Sequence, residues 1–134
     1  MSSLVIDTHA AIWYFAKSPR MSVAARAEVN DAIAQGDRIL LPSISIVEIV
    51  YLIEKKRLIP QTLASLMQKL KLPDNTFAVQ DLTADISQTL AEIPRSIVPD
   101  MPDRIIAATA LHLGLPLVTS DRNISNLTNI STVW

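Results

Sequence analysis

A chain of 134 residues is long enough to bury one sizeable core without disulfides or a structural metal. Hydrophobic residues at 49% against 19% charged exclude a disordered chain, and no apolar run reaches the roughly 18 residues of a membrane-spanning helix. A formal net charge of -1 neither advertises nor forbids a polyanionic partner, whereas zero cysteines exclude thiol catalysis and cysteine zinc sites, and two glycines exclude a glycine-rich phosphate loop.

In chain order, short β-like runs alternate with helical stretches. Leu4 to Asp7 reads as a buried strand, followed by a short helix capped by Thr8 and running through Phe15. Ser22 caps a second helix that ends before Gly36, and Arg38 to Leu41 is a strand stopped by Pro42. Ser43 caps a helix to about Lys56, which Pro60 separates from a helix near Thr62 to Lys71, so the two form a helical hairpin. Phe77 to Val79 is a third strand, and Thr83 caps a helix to about Glu92. The loop Pro94 to Pro99 leads into a helix from about Pro102 to Leu113, terminated by Gly114. Leu117 to Ser120 is a fourth strand and Ile130 to Trp134 a candidate fifth. Strands separated by helices predict right-handed crossovers: a three-layer α/β/α fold with a mainly parallel central sheet of four to five strands, in one domain over residues 1–134.

Sites in such folds gather at the carboxyl ends of the strands. Four acids stand where chain segments turn over: Asp7 after Leu4-Val5-Ile6, Glu48 inside Ile44 to Ile53, Asp103 after Met101-Pro102, and Asp121 after Leu117-Val118-Thr119-Ser120. With no cysteine and two histidines, acids are the plentiful metal ligands, and they suit a hard, oxygen-loving cation. Each has a plainer reading. Asp7 suits a helix cap, Asp100 and Asp103 straddle a helix start where the dipole favours negative charge, with Asp100 as a cap, Asp121 suits an Asx turn, and Glu48 a polar stripe shared with Ser45 and Lys55. If Glu48 instead faced the core unpaired, it would be forced toward protonation unless a cation sat beside it. His9 and His112 read as structural, Trp13, Tyr14 and Phe15 as helix-face packing, and Lys55 to Arg57 as a solvated helix end. Arg104 and Arg122, each beside a featured acid, are weak candidates for steadying a phosphate or are simply surface residues.

Four segments carry a resemblance that spans essentially the whole chain: Leu4-Val5-Ile6-Asp7-Thr8-His9-Ala10 with Trp13, Ser45-Ile46-Val47-Glu48-Ile49, Asp100 to Ala110, and Leu115-Pro116-Leu117-Val118-Thr119-Ser120-Asp121. In that order and spacing the chain resembles PIN-domain ribonucleases of the VapC toxin type, from bacterial toxin–antitoxin pairs. The resemblance implies a metal-dependent endoribonuclease in which Asp7, Glu48, Asp103 and Asp121 hold one or two Mg²⁺ or Mn²⁺ ions, with Thr119 orienting a water or ligand and Asp100 in support. It implies hydrolysis of RNA by metal-activated water to 5′-phosphate and 3′-hydroxyl ends, an antitoxin covering the acidic groove, and a homodimer. Many relatives carry a His-Arg pair just ahead of Asp100, where this chain has Val98-Pro99, so no contact is carried over from that pair. The apolar residues Ile46, Val50 and Ile53 with Leu63, Leu66 and Leu70 suggest a dimer surface or core packing. The alternatives are a non-catalytic PIN-like binding module and a DNA-directed nuclease. The lack of a basic, apolar leader in Met1-Ser2-Ser3-Leu4 points to the cytoplasm, with no membrane partner.

Overall fold

The computed structural model describes residues 3–134, so Met1 and Ser2 of the leader argument lie outside the described residues. Its elements are β1 (Leu4–Ile6), α1 (Thr8–Phe15), α2 (Val23–Ala34), β2 (Ile39–Pro42), α3 (Ser43–Glu54), α4 (Pro60–Leu70), β3 (Phe77–Gln80), α5 (Ala84–Thr89), a 3-10 turn (Leu90–Glu92), α6 (Met101–Leu113), β4 (Leu117–Val118), α7 (Arg122–Ser125) and β5 (Thr132–Val133). All strand pairs are parallel, in the order β3-β2-β1-β4-β5.

The sheet is covered on both faces, and the two-residue period of a strand decides which side chain goes where. Leu4, Ile6, Ile39, Leu41 and Val118 pack with Ala10, Ala11, Ala25, Val29, Ile49 and Leu66 of α1 to α4. Val5 and Leu117 face the other way, onto Ile86, Ile106, Ala107 and Ile124 of α5 to α7. Fully buried Ile49 and Ile106 each contribute about 1.5–3 kcal/mol of transfer free energy. Together the two clusters account for the expected α/β/α layering.

Several boundaries differ from expectation, each for a local reason. Asp7, not Thr8, caps α1: its Oδ1 accepts from the Ala10 amide at 2.8 Å, which frees the Thr8 hydroxyl for another partner. Pro42, not Ser43, occupies the α3 cap position, and the Ser43 hydroxyl accepts from the Leu82 amide at 3.2 Å. β4 stops at Val118, short of the expected Ser120, because the Thr119 side chain turns the chain toward α7, a four-residue helix with no counterpart among the expected elements. In the α3–α4 hairpin, Ile46, Ile53, Leu63 and Leu70 pack on the core and Leu66 is buried, so they do not form the outer apolar surface. The exposed apolar residues there are Val47, Tyr51 and Ile59 at 49%, 59% and 64% exposure.

Four helices end the same way, with a left-handed residue just past the helix: Lys17, Gly36, Lys56 and Gly114 have φ of 54°, 81°, 60° and 67°. The amides of Lys56 and Arg57 close back on Ile53 and Leu52, as in a Schellman motif. A lysine there carries a steric cost of about 1–2 kcal/mol that glycine lacks, offset by about 0.4–1 kcal/mol of extra unfolded-state freedom in glycine. Lys56→Gly is therefore expected to stabilise the protein by about 0.5 kcal/mol. A lower urea midpoint for the variant than for the parent would contradict this.

Candidate functional site

β1 lies between β2 and β4, so the chain leaves its carboxyl end toward one side while β4 serves the other, and a crevice opens between them. Asp7 follows β1 directly, and its amide donates to Val118 O at 3.1 Å. Across the crevice, the buried Thr119 hydroxyl donates to Asp7 Oδ2 and its oxygen accepts from the Asp121 amide at 3.0 Å. Thr119 therefore acts on Asp7 and on the turn at Asp121, instead of offering a free hydroxyl to a water. Asp121 in turn caps α7, its Oδ1 accepting from the Ile124 amide at 2.9 Å.

The third segment arrives on α3. Ser45 is buried, which removes the solvent-facing polar stripe, and Thr8 Oγ1 donates to Glu48 Oε1 at 2.6 Å while lying 2.8 Å from Ser45 Oγ. One hydroxyl has one proton, so Ser45 donates the second bond into the Thr8 oxygen. A half-buried Glu48 that lines the crevice is thus held by the Thr8 hydroxyl, which Ser45 supports in turn. The fourth segment is the start of α6, where Asp100 Oδ2 accepts from the Asp103 amide at 3.3 Å and Asp103 occupies the first turn.

Asp7, Glu48, Asp100, Asp103 and Asp121 all line one cleft of about 460 Å³. Within it the tightest grouping is Glu48, Asp100 and Asp103, each with a carboxylate oxygen within 4.8 Å of the others. Asp100, expected only in support, is in this group, while Asp7 and Asp121 stand next to it. The electrostatics report the same crowding. Burial, then Asp121, Asp100, Glu48 and Asp7, push the Asp103 carboxyl up from 3.8 to about 7. Burial pushes Asp7 up to about 6 against the lowering effect of the Thr119 and Ala10 hydrogen bonds. Glu48 is raised too, chiefly by burial, with Thr8 opposing.

These residues fit a hard divalent cation. The donors are all carboxylate oxygens, and three of them lie within 4.8 Å of one another, near enough to share one small oxygen-preferring ion. A cation would remove the like-charge penalty that raises Asp103.

Other residues belong to the cleft as well, among them Trp13, which also packs on the core as expected. His9, Trp13, Arg20 and Ser120 line it. The signal for the first two was their four-residue spacing on α1 just past Asp7, which places them on one helix face. Arg20 comes from the loop after α1, and no spacing rule pointed to it. Arg104 lies elsewhere: its guanidinium donates to Ile93 O at 2.9 and 3.1 Å and to Leu90 O at 2.9 Å, clamping the 3-10 turn. Arg122 is exposed at the start of α7 and is not among the cleft-lining residues.

The raised carboxyls make stability depend on pH. Between the unfolded value of 3.8 and the folded values of about 6 and about 7, the folded state binds more protons than the unfolded state. Their stabilising contribution is complete below pH 3.8 and is lost as pH rises through those folded values. In chelator, the melting temperature is expected to fall from pH 5 to pH 8, and Asp103→Asn should recover roughly 3 °C at pH 8 relative to pH 5. Parallel parent and variant curves would count against the crowding.

Comparison with known proteins agrees with this fold. Solved structures with the same fold include VapBC2 from Rickettsia felis bound to a promoter DNA fragment, with a TM-score of 0.72 at 18% identity, covering 97% of this chain and 96% of that one. A toxin–antitoxin complex from Klebsiella pneumoniae matches with a TM-score of 0.61 at 18% identity, over 96% of each chain. Ribonuclease VapC22 of Mycobacterium tuberculosis is 32% identical over 125 residues, 92% of this chain and 91% of the relative. The PIN domain family model matches residues 4–130, and with that relative it establishes that this chain belongs to the PIN domain family.

Proposed function

We propose that this chain is a metal-dependent endoribonuclease, formed as a single PIN domain over residues 1–134 and acting as the toxin of a toxin–antitoxin pair in the cytoplasm. The observation that carries the reading is the convergence of five carboxylates from four separate segments on one cleft, where burial and then the neighbouring acids raise Asp103 to about 7. The 32% identical relative is a ribonuclease, and a fold neighbour is a toxin–antitoxin complex, which supports RNA as substrate and an antitoxin as partner.

Glu48, Asp100 and Asp103 would hold Mg²⁺ or Mn²⁺, with Asp7 and Asp121 completing one site or contributing to a second. When bound, such an ion acidifies water and offsets charge on phosphate oxygens. The chain's own residues supply placement. Thr119 holds Asp7 and the Asp121 turn in fixed relation, and Thr8 with Ser45 fixes the rotamer of Glu48. Arg20 reaches the cleft as a phosphate-steadying cation, the role for which Arg104 is already engaged by backbone carbonyls. Exposed Val47, Tyr51 and Ile59 are where a second copy would pack in a homodimer.

Purified, partner-free protein incubated with a structured RNA pool in Mn²⁺ should cut it, leaving 5′-phosphate and 3′-hydroxyl ends. EDTA or Asp7→Asn should abolish the cuts, and Thr119→Val should slow them roughly 10- to 100-fold by loosening Asp7. Ends bearing 2′,3′-cyclic phosphate, or cutting that survives EDTA, would refute the mechanism. Light scattering at tens of micromolar should show a dimer that Tyr51→Glu converts to monomer, and a monomeric parent would end that part of the proposal.

A further inference from the structure

The cleft is poorly equipped to hold a nucleic acid strand by charge alone. Five acids line it, and among the described residues Arg20 is the one Lys or Arg on its wall. Beside the phosphate contacts that Arg20 and a bound cation would make, unpaired nucleobases offer contacts that carry no charge, through stacking on aromatic rings.

Such rings stand at the cleft edge. His9 and Trp13 are one turn apart on α1, with ring centroids at 5.7 Å and planes inclined by 47°, and both line the cleft. Trp134 continues the row, with its ring centroid 5.7 Å from that of Trp13 and a plane angle of 58°. Its position follows from the sheet. β5 is parallel to β4, Thr119 N donates to Val133 O at 3.1 Å, and Trp134 therefore emerges at the same carboxyl edge as the acids. The rings are tilted instead of stacked on one another, and Trp134 is 38% exposed, with His9 exposed as well. Tyr14 and Phe15 behave differently, turning inward onto Phe77. All three consecutive aromatics of α1 pack on the core, and of the three Trp13 also lines the cleft.

We propose that His9, Trp13 and Trp134 form a stacking platform that holds an unpaired nucleobase of the RNA strand beside the acidic cleft. The inference rests on the ribonuclease reading above, and it requires an unpaired base, because a base inside a duplex presents no free face to the rings. These are positioning residues. Because a base face is neutral, their contribution adds nothing to the salt dependence of binding.

The test measures binding apart from cutting. Full-length protein carrying Asp103→Asn is titrated in Mg²⁺ with fluorescein-labelled oligoadenylate of about ten nucleotides, alone or annealed to its complement. The single strand is expected to quench tryptophan emission and to bind roughly tenfold more tightly than the duplex. Trp134→Leu, which keeps apolar bulk without the ring, should weaken single-strand binding roughly tenfold with the salt slope unchanged, and Trp134→Phe should restore most of the loss. Equal affinity with Trp134→Leu, equal duplex binding, or a loss that Trp134→Phe does not repair would overturn the platform. Cutting of RNA by the parent chain is followed in parallel. Cutting with no effect of Trp134→Leu on binding rejects the platform and leaves the nuclease reading standing. A Trp134-dependent affinity without cutting does the reverse, and no RNA binding at all rejects both.

Discussion

The adjacency of β1 and β4 is the constraint on which the cleft depends. Two strands distant in sequence are hydrogen-bonded neighbours, Val5 with Leu117 and Ile6 with Val118, so the residues just beyond them must face one another. Thr119 converts that adjacency into side-chain geometry by bonding at once to Asp7 and to the Asp121 amide. The helices that bring Glu48 and Asp103, α3 and α6, draw mainly on different core clusters and pack against each other, which sets their acids side by side. Burial of apolar side chains on both faces therefore sets the distances between acids that never contact the core.

That arrangement gathers like charges in a partly desolvated place, which opposes folding unless something offsets it. Local structure supplies part of the offset. The amino-terminal ends of α1 and α6, with their unpaired amides, point into the cleft, and Asp7 and Asp100 accept from those amides. The remaining strain is what leaves Asp103 and Asp7 half-disposed to hold protons near neutrality. Helix capping and ligand placement, which look like competing explanations for each acid taken singly, are the same fact observed from the backbone and from the cleft.

Much of this was legible in the chain. Ser22 and Thr83 as caps, Gly36 and Gly114 as terminators and the short β-branched runs located most elements, because each reflects a local backbone requirement. The four featured acids were legible because each follows a strand, interrupts an apolar helix or, for Asp103, opens a helix behind a proline. What was not legible depended on distant contacts. Thr8 gives up its capping role only because Glu48 and Ser45, some forty positions away, arrive beside it. Arg104 bonds to carbonyls more than ten residues earlier, α7 exists because Asp121 has turned at Thr119, and Trp13 and Trp134 meet across almost the full chain. The apolar residues of the α3–α4 hairpin show the same limit, since helical spacing identifies an apolar face without stating what lies against it.

Three of the five cleft acids, Asp7, Asp100 and Asp121, cap helices through one carboxylate oxygen. Asparagine caps a helix about as well as aspartate does, yet brings no charge. The codons of the two residues differ at a single base. A lineage carrying this architecture is therefore one transition away, at any of three positions, from a protein that keeps its fold and its surfaces while losing part of its capacity to hold a cation. Descendants that bind without cutting are within easy mutational reach of this chain, and the reverse step is equally short.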